Sequence, residues 1–473
     1  MFYKCHFLEK ISINIYIFFL NLFLFNSILE IPLQPLKVKG IPKYGNLSIF
    51  ELGNEILLKD KIILIEEGNS IISDDNLFLA NVKIGSNSQS FNLLLDTGSH
   101  IFWVAKNGCL GTHSTITNFF NPSSSTTCKS TSQKFEIKYG TGKCSGLYYN
   151  DNVEYIKNKK LNINFGIAST ADFEFAGADG IIGLSKSSKD ESLSFIHMLK
   201  KSGNTDSLAF SIKFENDQFT SNVQGKMYIG RHEDFSKKGV QSCPLIFYKL
   251  DTFWACQLDS LRLKSKYNVT KVSYSTSVIF DTGTNFFYLP KRYIEEMNDE
   301  LKKFGCSANL ESKRPIILCK ANGDYPDFQF EFNGNIYTIP KEYVFKPIPG
   351  YTQYVSARII FDDSSTAIIG SLFFFLFHTL FDEESKELKF YPLKSEIIEI
   401  NEKNDKNGKN EIIEEGEGGL STLNIILISA SAGVLVVIIL IIVIICLIKK
   451  RKPKSYINPI GQDNKEPLYP NEE

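Results

Sequence analysis

Strand-length runs of apolar or alternating residues, broken by Gly, Asn and Ser, recur from Asn76 to Phe390, and only Leu193 to Lys201 and Lys291 to Lys303 carry a helical period. Runs of that length between turn residues predict strands, so the fold class is mainly β. Asn76 to Ile84 reads as a strand, Gly85 to Ser88 as a turn, and Phe91 to Leu95 as the next strand. Phe135-Glu136-Ile137-Lys138 alternates and meets Tyr139-Gly140-Thr141-Gly142, which predicts a hairpin with a glycine-bracketed tip and a return strand through Tyr148-Tyr149.

The ends of the chain follow a different pattern. Lys4 and Lys10 precede an apolar run from Ile11 to Phe25, the build of a secretory signal peptide over 1–27, with an uncleaved anchor as the alternative. From Ser395 to Gly419 the composition shifts to Glu, Asn, Lys and Gly, which predicts an unpacked stalk over 395–422. Leu423 to Ile448 is uninterruptedly apolar, long enough to span a bilayer, and stops at Lys449-Lys450-Arg451-Lys452. Basic residues after a span hold that side in the cytosol. A single-pass type I membrane protein is therefore expected, with a span over 423–448 and a cytoplasmic tail over 449–473. Its folded part would be lumenal or extracellular, in the secretory or endolysosomal system or at the cell surface.

Between these ends the chain is duplicated. Asp96-Thr97-Gly98-Ser99 and Asp281-Thr282-Gly283-Thr284 each follow an apolar run, Phe91 to Leu95 and Val278 to Phe280. An aspartate directly behind a buried strand is costly unless its charge is used. Each copy is followed by two isoleucines and a glycine: Gly183 lies 87 positions after Asp96, and Gly370 lies 89 after Asp281. One Asp-Thr-Gly alone would be read as a capped turn. Two copies with matched downstream patterns predict two lobes, 73–235 and 236–394, related by a pseudo-two-fold axis that brings Asp96 to Asp281. Two close carboxylates share a proton, so one acts as a base toward water while the other acts as an acid toward an amide carbonyl.

These motifs and their spacing resemble the pepsin-like aspartic peptidase family over roughly Asp75 to Leu393. The resemblance implies a bilobal fold and an aspartic endopeptidase with Asp96 and Asp281 as its catalytic dyad, supported by Thr97, Gly98, Ser99, Thr282, Gly283 and Thr284. It implies that Tyr139, Gly140 and Thr141 form a flap over the substrate, with Tyr139 hydrogen-bonded toward Trp103. It makes Asp179, in Ala178-Asp179-Gly180-Ile181-Ile182-Gly183, structural, and it sets Phe173 and Phe175 near a hydrophobic substrate pocket. The segment 28–72, with Lys37, Lys39 and Lys43, stands where such zymogens carry a prosegment; a solvated linker is the alternative. The sequence departs at Asn285, where many relatives carry serine. A catalytically inactive, peptide-binding relative is the rival reading.

Nine cysteines suit an exported chain, and seven lie outside the signal and the span. Cys306 and Cys319 stand at the family's second-lobe bridge. Cys243 and Cys256 could close a hairpin, and Cys109 is paired with Cys128, leaving Cys144 free or as an alternative partner. Asn46-Leu47-Ser48 and Asn268-Val269-Thr270 are glycosylation sequences. Without Cys-x-x-Cys or clustered histidines no metal is expected, and no cofactor is expected either. A formal net charge of −1 argues against nucleic acid as a partner. The expected partners are peptide or protein substrates and the membrane, with the chain a monomer. No Gly-x-Ser-x-Gly, His-Glu-x-x-His or phosphate loop points to another chemistry.

Overall fold

In the computed structural model, each Asp-Thr-Gly motif follows a strand that runs parallel to the strand of its own Ile-Ile-Gly motif. Gln89–Asp96 pairs with Gly180–Gly183, Leu93 opposite Gly180 and Asp96 opposite Gly183. Thr276–Phe280 pairs in the same way with Thr366–Ile369, Phe280 opposite Ile369. That is the structural content of the matched 87- and 89-residue spacings. The two glycines are needed because the chain beyond each aspartate crosses over them. A Cβ on Gly183 would lie 2.4 Å from the Ile101 nitrogen, and one on Gly370 would lie 2.2 Å from the Phe286 oxygen.

The structure describes residues 29–35 and 77–400, apart from 112–115, 141, 173–177, 187–189, 215–224, 249–251, 309, 311, 313, 349–350 and 395–397. The expected signal peptide, most of the expected prosegment, the span and the cytoplasmic tail lie outside the described residues. Among the described residues no helix is long and apolar enough to cross a membrane.

The fold is mainly β and bilobal, with one sheet of 13 strands and one of 12. The lobes are not cleanly divided at residue 235. Gln241–Pro244, Phe377–Asp382 and Glu387–Pro392, from the second half of the chain, join the sheet built mainly by the first. Trp254 links the halves again, its indole donating to the Leu184 oxygen at 2.8 Å. Leu29–Pro35 also enters this sheet, between Gly225–Ile229 and Phe78–Ile84, with Ile31 buried. At the other end, strand pairing continues past Leu393. Ile398–Ile400 pairs with Asn335–Ile339, so the unpacked stretch expected from Ser395 does not begin there. A sheet edge offers unpaired amides and carbonyls to any passing strand, whatever that strand's composition.

Both helical periods are helices, with one boundary moved. Lys291–Lys303 buries Tyr293, Ile294, Met297 and Leu301 on one face and places Lys302 and Lys303 at the negative end of its dipole. The other helix is Phe195–Lys201, because Ser194 caps it by accepting from the His197 amide.

Candidate active site

The two Asp-Thr-Gly loops hold each other. The Thr97 hydroxyl accepts from the Thr282 amide at 3.0 Å and donates to the Phe280 carbonyl at 2.8 Å. Reciprocally, the Thr282 hydroxyl accepts from the Thr97 amide at 3.1 Å and donates to the Leu95 carbonyl at 2.8 Å. Four buried bonds thus tie residues 185 positions apart into one symmetric grip. Each threonine satisfies the backbone of the opposite loop, so neither loop is complete alone.

Within each loop the carboxylate is bound on both oxygens. Asp96 Oδ1 accepts from the Gly98 amide at 2.9 Å and Oδ2 from the Ser99 hydroxyl. Asp281 Oδ1 accepts from the Gly283 amide at 2.8 Å and Oδ2 from the Thr284 hydroxyl at 2.6 Å. The two carboxylates face each other across the glycines. A Cβ on Gly98 would sit 2.6 Å from Asp281 Cγ, and one on Gly283 would sit 2.6 Å from Asp96 Oδ1, so any side chain would wedge the pair apart. Burial, and next the Asp281 charge, push the Asp96 carboxyl well above its ordinary value, against the opposing hydrogen bonds of Ser99 and Gly98.

Tyr139, at the base of the tip that joins Lys129–Lys138 to Lys143–Ile156, accepts from the Trp103 indole nitrogen at 2.8 Å. Its phenol titrates far above the ordinary range, chiefly through burial, with Cys144 and Asp96 adding to it. Open space surrounds Gly140. Thr141, Phe173 and Phe175 lie outside the described residues. Asp179 is buried and accepts from the amides of Asn92, Thr117 and Asn118 and from the Thr117 and Asn118 side chains, so it braces the strand beneath Asp96. Asn285 is half-buried just past the second loop.

The cysteine pairings are corrected in two places. Cys306 and Cys319 are joined, on adjacent strands and directly opposite in register. No disulfide joins Cys109 to Cys128, because they belong to different packing units. Cys109 lies in a smaller cluster with Cys144, Trp103 and Phe135, whereas Cys128 packs on the main core. Cys243 and Cys256 are both buried thiols, and Cys256 donates to the Cys243 carbonyl 3.6 Å away.

The expectation that no histidines cluster is also corrected. Folding brings His232, Asp234 and His378 together, with one ligand atom from each within 4.8 Å of the others. Their chemistry does not suit a cation. Asp234 already accepts from Lys213 at 2.8 Å and from Lys237, so a metal ion would face two ammonium groups. The cluster is an internal charge network, invisible in sequence because His378 lies 144 positions from Asp234.

A family profile described as "Eukaryotic aspartyl protease" matches residues 77–393. The chain is 28% identical over 325 residues to pregnancy-associated glycoprotein 4 of Ovis aries, covering 67% of this chain and 82% of that protein. It is 28% identical over 324 residues to pepsin II-2/3 of Oryctolagus cuniculus, covering 66% and 80%. It is 27% identical over 332 residues to pepsin A of Gallus gallus, covering 67% and 85%.

Proposed function

Because the chain belongs to the eukaryotic aspartyl protease family, we propose that it is an aspartic-type endopeptidase that hydrolyses peptide bonds through Asp96 and Asp281. The observation that carries this reading is the facing of two buried carboxylates, each bound on both oxygens, within loops locked by Thr97 and Thr282. Burial and the facing charge raise the Asp96 carboxyl, so the pair shares one proton, and the protonated member polarises the scissile carbonyl. The ionised member then takes a proton from the attacking water while the protonated member passes its own to the carbonyl oxygen. The geminal diol collapses as the first returns its proton to the amide nitrogen, the C–N bond breaks, and the second takes back a proton from a diol hydroxyl. No covalent enzyme intermediate is formed. Tyr139, tied to Trp103, closes the hairpin over the bound chain and keeps bulk water from the diol.

The substrate-free precursor is a zymogen in this reading. Its support is Leu29–Pro35, which takes part in the central sheet although it precedes the catalytic body by some forty residues of chain. Lys37, Lys39 and Lys43 are the groups that would lie against the anionic cleft. Acidification neutralises the carboxylates while the lysines stay charged, so the segment releases at low pH. With a cleaved signal and a carboxy-terminal span, the catalytic lobes work as a monomer on the lumenal or extracellular side.

The test is cleavage of a mixed peptide pool by the acid-activated full chain, with and without a statine-type inhibitor. Inhibitor-sensitive cleavage that disappears in Asp96→Asn and Asp281→Asn is expected. Inhibitor binding without cleavage would instead favour the inactive, peptide-binding reading that Asn285 first suggests.

A further inference from the structure

The hairpin between Ala255–Lys264 and Val269–Val272 ends in a turn on the surface of the second lobe. The turn is closed by the Ser265 amide donating to the Asn268 carbonyl at 2.8 Å. The Ser265 hydroxyl fixes its interior, accepting from the Tyr267 amide at 3.3 Å and the Asn268 amide at 3.0 Å. The backbone is therefore held while Asn268 itself stands exposed.

Two residues beside Asn268 are unexpected on a polar turn. Tyr267 is 86% exposed and Val269 47% exposed, two of only four large apolar side chains so displayed among the described residues. The hydrogen bonds of the turn are made by Ser265 and by backbone and not by either side chain, although Lys266 Nζ lies over the Tyr267 ring, 5.4 Å from its centroid. An aromatic and a β-branched residue on either side of an asparagine do, however, offer the apolar faces on which a pyranose ring packs. Asn268-Val269-Thr270 completes the acceptor pattern, with Thr270 half-buried two positions on.

We propose that Asn268 carries an N-linked oligosaccharide whose first sugar covers Tyr267 and Val269. The donor is an oligosaccharide linked through a pyrophosphate to a lipid carrier. Asn268 Nδ2 forms the bond to C1 of the reducing-end sugar and gives up one proton. The C1–oxygen bond to the carrier breaks, and the lipid pyrophosphate leaves with the electron pair. The inference rests on the lumenal placement of the lobes, because the donor is presented only on that side.

The experiment keeps the two apart. The full chain is produced in a eukaryotic secretory system, digested with peptide-N-glycosidase, and mapped for asparagine converted to aspartate. A control variant, Lys160→Thr, creates an acceptor sequence at Asn158, in the exposed turn after Lys143–Ile156 on the other lobe. The expected result is conversion at Asn268 in the wild type, with loss of one oligosaccharide in both Asn268→Gln and Thr270→Ala but not in Thr270→Ser. Conversion at Asn158 in the control with none at Asn268 overturns the proposal and leaves the topology standing. Conversion at Asn46 alone likewise overturns only the proposal, and conversion at none of Asn46, Asn158 and Asn268 overturns both.

Discussion

Asp96 and Asp234 are buried to nearly the same degree, 5% and 1% exposed, yet their surroundings push them in opposite directions. Burial alone raises a carboxyl in either place. At Asp96 the next influence is the like charge of Asp281, and the carboxyl ends well above its ordinary value. At Asp234 burial is outweighed by hydrogen bonds from Lys213, Lys237 and His378, and the carboxyl is held far below it. The His378 ring donates to Asp234 through Nδ1 and accepts from Ser211 through Nε2, so the network fixes the neutral tautomer. One site satisfies its charge completely and is structural. The other keeps two acids face to face, an arrangement that is unfavourable to folding and suits a group that must exchange a proton.

The largest test of this contrast removes one charge from each site. Asp96→Asn or Asp281→Asn should lower turnover by about a thousandfold or more, because an amide cannot share the proton. A loss under tenfold, about 1.4 kcal/mol of barrier, would break the assignment. Asp234→Ala should behave in the reverse sense. It should cost about 3 kcal/mol in a urea titration by stranding Lys213 and His378, while turnover per folded molecule stays within a few-fold. Unchanged stability would show that the network is incidental.

A finer test concerns the grip. Thr97→Ala and Thr282→Ala each remove one accepted and one donated bond, and each should cost about 2 kcal/mol. Because the bonds are reciprocal, the two losses should agree within about 0.5 kcal/mol; a clear inequality would mean that the lobes do not contribute equally.

What the sequence revealed, and what it concealed, follows from the range of each interaction. The meeting of Asp96 and Asp281 was legible because Asp-Thr-Gly is local and because each Ile-Ile-Gly motif lies at the end of the parallel partner of its own Asp-Thr-Gly strand. The helix Lys291–Lys303 was legible because its buried face repeats within thirteen residues. The Asp234 network had no such signal, since its members come from three distant strands and turns. Ile398–Ile400 was concealed by its acidic neighbours, because joining a sheet edge needs backbone rather than composition. The cysteines could not be paired by counting, as Cys109 and Cys128 turned out to face different clusters.

Tyr139→Phe probes the rim of the site and should have a smaller effect than any of these. It keeps the ring but deletes the acceptor for the Trp103 indole, a bond worth about 1 kcal/mol. A fall in kcat/KM of about fivefold is expected, measured on one peptide at fixed pH. If the variant matched wild type, closure of the hairpin would not depend on that bond.

The smallest effect is thermal, and it sets the two buried sites against each other along the pH axis. Asp96 is raised in the folded state, so the stability it contributes is complete below the ordinary aspartate range and is lost as pH rises through the folded value. His378 is lowered by burial from 6.5 to about 3, although Asp234 pulls it the other way. Its contribution is complete above the ordinary histidine range and is lost as pH falls toward the folded value. Wild-type stability should therefore peak in mild acid and decline on both sides. Asp96→Asn removes only the first contribution, so its melting temperature should exceed that of wild type near neutrality by about 3 °C and converge with it in acid. Superimposed profiles for the two proteins from mild acid to neutrality would show that the facing carboxylates are not under electrostatic strain, and the contrast with Asp234 would lose its basis.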